Sequence, residues 1–106
     1  MKIEFLYFEG CPYYQTALRN LEQVLEEEKI GIPVDMVRIE SQEQALRNKF
    51  LGSPTIRTNG QDIEPGVRDL KDFSMRCRLY SEAGSITGWP SKDLIRHALK
   101  EAYEQI

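Results

Sequence analysis

The sequence is poor in the residues that metal centres and disulfide frameworks need. It has two cysteines, Cys11 and Cys77, and one histidine, His97. Two cysteines are too few for a disulfide scaffold, and without further cysteine or histidine ligands we expect no zinc site. A Gly-rich phosphate loop, a pair of catalytic carboxylates and a Ser-His-Asp set are also missing from the sequence. We therefore expect no cofactor and no resident metal ion.

Strong charge and long apolar runs are missing too. The net charge is −3, from 17 acidic and 14 basic residues, which is too mild to indicate a nucleic-acid partner. No stretch approaches the ~20 apolar residues of a membrane span, and Glu4 interrupts the apolar N-terminal run, so no signal peptide is predicted. We expect one domain over residues 1–106, located in the cytoplasm, with no nucleic-acid or membrane partner. The sequence leaves the oligomeric state open.

Hydrophobic periodicity predicts an α/β fold with the element order β-α-β-α-β-β-α. The first two strands should be parallel and joined by a right-handed crossover, whereas Asn59-Gly60 predicts an antiparallel hairpin. These connections give a four-stranded mixed sheet flanked by helices on both faces. The predicted elements are strand 2–8, helix 12–29, strand 34–39, helix 42–50, strands 55–58 and 61–64, and helix 91–105.

Residues 65–89 carry the weakest pattern in the chain. Glycine and proline punctuate this stretch at Pro65, Gly66, Gly84 and Gly88. We predict an irregular segment or an insertion that carries Cys77. Long segments of this kind usually have a function.

Cys11 is the first candidate functional residue. It follows Gly10 at the end of the first strand and precedes Pro12, which suits the first position of a helix. The N-terminus of a helix favours an anion, and the thiolate is the attacking species in disulfide exchange. Cys11 is therefore interpreted as a nucleophile or a soft-metal ligand, with a buried structural cysteine as the alternative.

Cys77 is the second candidate, in the triplet Arg76-Cys77-Arg78. Two neighbouring cations would favour its thiolate. It could resolve a mixed disulfide on Cys11 or share a soft metal ion with it. A disulfide would need the two Cα atoms within about 7 Å. The alternative is a structural cysteine with no role in chemistry.

Tyr13 and Tyr14 follow Cys11 directly. Their hydroxyl groups could hydrogen-bond the thiolate or line a substrate groove. The alternative is that the rings only pack on the start of the helix.

Taken together, three features resemble the thioredoxin-like superfamily, and above all its small bacterial members with a glutaredoxin-sized core. They are Gly10-Cys11-Pro12-Tyr13-Tyr14 between strand and helix, Gly52-Ser53-Pro54-Thr55 before the third strand, and the Asn59-Gly60 hairpin followed by an amphipathic helix. The resemblance implies a cis Ser53–Pro54 bond facing the nucleophile. It also implies a Ser53 backbone that is free to pair with an extended substrate.

The same resemblance implies a set of substrate-binding residues: Pro12, Tyr13, Tyr14, Ser53, Pro54 and Thr55. The sequence departs from the family's redox motif Cys-x-x-Cys at Tyr14, which stands where the second cysteine would be. A dithiol shuttle within one helical turn is therefore excluded.

The leading hypothesis is a thiol-disulfide oxidoreductase in which Cys11 is the catalytic nucleophile. Its partner would be a protein disulfide or a glutathione-type thiol, and Cys77 or an external thiol would resolve the mixed disulfide. The chain also resembles, more faintly, the catalytic core of organomercurial lyase, which pairs a Cys-x-x-acid helix start with a distant cysteine. Tyr14 replaces that acid here. Two alternatives follow: a mercury- or copper-binding protein using Cys11 and Cys77, and a thioredoxin-like binding module without catalysis.

Overall fold

The computed structural model describes residues 1–82 and 84–104, and its central element is a mixed β-sheet. The four strands are β1 (Ile3–Tyr7), β2 (Val34–Arg38), β3 (Thr55–Thr58) and β4 (Gln61–Asp62). Their order in the sheet is β2-β1-β3-β4, with β1 parallel to β2 and antiparallel to β3. The α/β class, the parallel first pair and the four-stranded mixed sheet are thereby confirmed.

Three helices flank this sheet: α1 (Tyr14–Glu27), α2 (Gln42–Arg47) and α3 (Lys92–Glu104). Because successive side chains of β1 point to opposite faces, Ile3 and Phe5 pack with α1 and α3, while Leu6 packs with α2. Helices therefore cover both faces, as predicted. None of the helices in the described part of the chain is long and apolar enough to cross a membrane.

The start of α1 differs from the prediction. The helix begins at Tyr14 rather than Pro12, because a turn closed by the bond from the Cys11 N–H to the Phe8 carbonyl (3.1 Å) extends the loop. Tyr13 is the N-cap residue and makes no side-chain cap, since a tyrosine has no short side-chain oxygen for that position. Cys11 therefore lies two residues before the N-cap and not next to the first helical residue.

The other turns follow the sequence more closely. The Ser41 hydroxyl accepts a hydrogen bond from the Gln44 N–H (3.1 Å) and caps α2, which begins at Gln42 as predicted. Asn59 and Gly60 both have positive φ and join β3 to β4, as this dipeptide does in tight hairpins. β4 is shorter than predicted and ends at Asp62.

Residues 65–89 are more ordered than the sequence indicated. They contain a 3₁₀ turn (Pro65–Val67) and two short strands, β5 (Tyr80–Glu82) and β6 (Ser85–Thr87), which pair antiparallel as a separate sheet. Strands of three residues are too short to show a period, which is why the pattern missed them. Before β5, Cys77 forms an isolated parallel bridge with Ser53. This bridge ties the segment to the loop that precedes β3.

Candidate functional site

Cys11 lies just beyond β1 and is buried, with 4% of its surface exposed. Its Sγ donates a hydrogen bond to the backbone carbonyl of Ser53 at 3.6 Å. The pairing of Leu6 with Thr55 brings the end of β1 beside the loop that precedes β3. Cys11 is therefore held under this loop by a hydrogen bond from its sulfur to the loop backbone.

The loop itself contains the cis Ser53–Pro54 peptide bond that was predicted. Ser53, Pro54 and Thr55 are all buried. The Ser53 hydroxyl accepts from the Phe8 N–H at 3.4 Å, and the Thr55 hydroxyl donates to the Gly52 carbonyl. Side-chain hydrogen bonds thus fix the loop against the end of β1.

The prediction that the Ser53 backbone is free to pair with an extended substrate is wrong, because both its N–H and its carbonyl are already hydrogen-bonded. The Ser53 N–H donates to the Arg76 carbonyl at 2.8 Å, and the Ser53 carbonyl accepts from the Arg78 N–H at 3.0 Å. These two bonds form the parallel bridge between Ser53 and Cys77. The chain's own residues 76–78 therefore occupy the backbone N–H and carbonyl of Ser53. We call residues 73–80 the strap.

Arg78 anchors the strap inside the protein. Its guanidinium group is only 5% exposed and makes a two-pronged ion pair with the Asp62 carboxylate, at 2.6 and 2.8 Å. It also bonds Glu64 and the Thr55 hydroxyl, each at 3.2 Å. Burial alone would lower the pKa of Arg78, but the hydrogen bonds and charges of Asp62 and Glu64 outweigh it and raise the pKa above its ordinary value. Arg78 therefore stays charged in the interior.

Tyr80 is the second anchor. Its ring is fully buried beneath the Arg78 guanidinium, 4.3 Å from the ring centre, and its hydroxyl donates to the Pro54 carbonyl at 2.6 Å. Burial raises the pKa of Tyr80 well above its ordinary value, so the hydroxyl remains a donor. The strap is thus bonded directly to the cis-proline.

Gly52 makes room for the strap. A Cβ atom at this position would lie 2.9 Å from the Arg78 Cβ and 3.1 Å from the Arg76 carbonyl oxygen. Its φ of 127° is also one that residues with side chains rarely adopt. The glycine of the Gly-Ser-Pro-Thr motif therefore permits the close approach of the two segments.

Cys77 is exposed, and the two arginines beside it both pair with carboxylates. Along the strap Arg78 and Tyr80 are buried, whereas Cys77 and Leu79 are exposed, which is the alternation of an extended chain. Arg78 is committed to Asp62, and Arg76 pairs with Asp72 at 2.9 Å. Both arginines beside Cys77 are therefore paired with carboxylates, and their effect on its thiolate stays a prediction.

The two cysteines meet at one residue. Cys11 bonds the Ser53 carbonyl through its sulfur, and Cys77 pairs with Ser53 through its neighbours' backbone. Paired strands lie about 5 Å apart, so Cys77 is close to the loop that covers Cys11. No disulfide joins them, and both thiols are free, one buried and one exposed. Sequence reasoning paired the cysteines as a hypothesis, but it did not identify Ser53 as the link.

The aromatic residues beside Cys11 pack against other rings. Tyr14 stacks on Tyr7 with ring centres 4.6 Å apart, and Tyr13 lies 5.5 Å from Trp89 and directly over Gly88. Pro12 is exposed between them and Cys11. Within the described residues, neither tyrosine hydroxyl bonds the Cys11 sulfur, which favours the packing interpretation. Trp89 was missed, because nothing in the sequence links it to the start of α1.

Metal ligands are sparse around the two thiols. Within residues 1–82 and 84–104, no three or more His, Cys, Asp or Glu side chains are grouped to hold a metal ion.

Comparison with known proteins adds no family assignment: no protein-family model, curated protein or solved structure matches this chain significantly. The geometry of the site is therefore the basis for the proposals below.

The buried anchor of the strap can be tested with the two arginines on either side of Cys77. Arg78→Met leaves the Asp62 carboxylate buried without its partner, and we expect a loss of about 3–5 kcal/mol in the free energy of unfolding. Arg76→Met, the matched control, breaks an exposed pair and should cost less than about 1 kcal/mol. Urea denaturation measures both values.

A double variant separates the effect of the unpaired Asp62 charge from the effect of losing the packing of the Arg78 side chain. Asp62→Asn combined with Arg78→Met removes both charges and should recover part of the loss. Equal losses of unfolding free energy for Arg78→Met and Arg76→Met would contradict the assignment of Arg78 as the anchor.

Proposed function

We propose that the chain is a thioredoxin-like thiol-disulfide exchange protein in which Cys11 is the nucleophile. One observation carries the proposal: the Cys11 sulfur lies 3.6 Å from the carbonyl of Ser53, the residue that precedes the cis-proline. The element order supports it, because β1-α1-β2-α2-β3-β4 and α3 follow the order that the resemblance implies. The strap and the β5–β6 hairpin are inserted between β4 and α3.

The first chemical step would begin when the Cys11 thiol gives up its proton. The thiolate attacks one sulfur of an external disulfide R–S–S–R, so that a Cys11–S–S–R bond forms, the original S–S bond breaks and R–S⁻ leaves. The leaving thiolate takes up the proton. The partner is a protein disulfide or a glutathione-type disulfide.

Cys77 would complete the reaction. Its thiolate attacks the Cys11 sulfur, a Cys11–Cys77 disulfide forms, and the second R–S⁻ leaves and is protonated. The external disulfide is thereby reduced by two electrons to two thiols, while the two thiols of the chain are oxidised. Two molecules of an external thiol R′SH then reduce the Cys11–Cys77 disulfide to two thiols and leave as the disulfide R′–S–S–R′. The bridge between Ser53 and Cys77 supports this role, because it holds the backbone of Cys77 beside the loop that covers Cys11.

Serine variants of the two cysteines test the proposal in an assay of glutathione-disulfide or insulin reduction. Cys11→Ser removes the attacking sulfur and should abolish exchange. Cys77→Ser should still complete the first step and accumulate a mixed disulfide on Cys11, visible by mass spectrometry. Exchange by Cys11→Ser at the rate of the unmodified protein would refute the role of Cys11.

A two-thiolate site for a soft metal ion is the second candidate. It is favoured by the convergence of Cys11 and Cys77 on Ser53, since Hg²⁺ and Cu⁺ select thiolate ligands. Carbon–mercury bond cleavage is less well supported, because Tyr14 stands where the lyase pattern has an acid, and its ring packs on Tyr7.

Titration of the reduced protein with Hg²⁺ tests this candidate. If the two sulfurs share the ion, one equivalent should protect both cysteines from alkylation, and either serine variant should bind the ion more weakly. Independent binding of one ion at each thiol would exclude a shared site.

A further inference from the structure

We propose that the strap is a displaceable internal strand that closes the Cys11 site in the resting protein. An extended substrate would have to replace the strap on Ser53 before Cys11 reacts, and the return of the strap would then bring Cys77 to the mixed disulfide. The identity of the substrate rests on the proposed function. The closure rests on the contacts of the strap.

The backbone of Ser53 has no hydrogen-bonding capacity left for a substrate. Its only N–H is donated to the Arg76 carbonyl. Its carbonyl accepts from both the Arg78 N–H and the Cys11 thiol, which uses both lone pairs of the oxygen. An extended peptide can therefore pair with Ser53 only after residues 76–78 have left.

The state of Cys11 also requires a movement before reaction. Its sulfur is almost completely buried, and its proton is donated to the Ser53 carbonyl. Disulfide exchange needs an exposed thiolate that can reach an S–S bond. Displacement of the strap would change the hydrogen-bond partners of Ser53 and open the loop above the Cys11 sulfur. One motion would thus both release the thiol from its hydrogen bond and expose the sulfur.

The two ends of the strap are held unequally. The later end is fixed by the buried Arg78 and Tyr80. The earlier end is held by one backbone bond, from the Ser74 N–H to the Phe50 carbonyl at 3.0 Å, and by two exposed bonds of the Gln42 side chain. Gln42 donates to the Phe73 carbonyl at 3.2 Å and accepts from the Met75 N–H at 3.1 Å. Segments with exposed hydrogen bonds open at lower free energy than buried ones. The backbone of residues 73–78 should therefore open first, while the side chains of Arg78 and Tyr80 keep the strap attached.

This arrangement sets the order of events. Substrate binding and the attack by Cys77 exclude each other, because both require pairing with the Ser53 backbone. The returning strap would displace the bound R group from Ser53 as it brings the Cys77 sulfur to the Cys11–S–S–R bond.

Gln42 gives a test that leaves both cysteines and the cis-proline loop untouched. In a Cys77→Ser background, alkylation of Cys11 by iodoacetamide is measured under native conditions. Gln42→Ala removes two bonds from the strap and should raise the rate about fivefold. The matched control is Gln23→Ala, an exposed glutamine of α1, which should leave the rate unchanged. Equal rates for the two variants would overturn the proposal.

Hydrogen exchange separates strap opening from general destabilisation. Gln42→Ala should accelerate exchange of the Ser53 and Arg78 amides by the same factor as alkylation, while the Phe5 amide of β1 stays unchanged. Equal acceleration at Phe5, or faster alkylation without faster exchange at Arg78, would overturn the proposal. Neither readout needs disulfide turnover, so closure by the strap and the exchange activity of Cys11 can fail separately.

Discussion

The backbone of Ser53 is the point on which the rest of the site depends. Its N–H and carbonyl hold the strap, and the same carbonyl receives the Cys11 thiol. A single residue therefore links the end of β1, the cis-proline loop and the long segment before α3. Because these bonds involve backbone atoms, the arrangement depends on the close approach of the two segments, which the absence of a side chain at Gly52 permits.

The buried charges explain why the strap stays in place. A guanidinium group in the interior is costly unless carboxylates pair with it, and Asp62 and Glu64 supply them from β4 and the residues after it. Tyr80 adds a hydrogen bond to the Pro54 carbonyl. The later end of the strap is thus fixed by buried side chains, whereas the earlier end is held by the exposed Gln42 and one backbone bond from Ser74. This asymmetry is expected of a segment that opens without detaching.

Local signals in the sequence predicted the sheet, the hairpin at Asn59-Gly60 and the start of α2, because each depends on residues close together in the chain. The prediction of a cis bond at Pro54 came from the resemblance to the thioredoxin-like superfamily. The strap was not predictable in this way: Arg78 lies in a polar triplet typical of a surface, and its partner Asp62 is 16 residues earlier. One signal could have indicated a buried ion pair. It combines two acids on the predicted hairpin, Asp62 and Glu64, with Arg78 close to the aromatic Tyr80.

Disulfide mapping tests the central claim, that the strap places Cys77 where it can bond Cys11. The native protein is equilibrated with a mixture of reduced and oxidised glutathione, quenched with acid and analysed by mass spectrometry after proteolysis. The account predicts one intramolecular Cys11–Cys77 disulfide per chain as the main oxidised product. Oxidation that stops at glutathionylated or intermolecularly linked Cys77, with Cys11 still a free thiol, would contradict it.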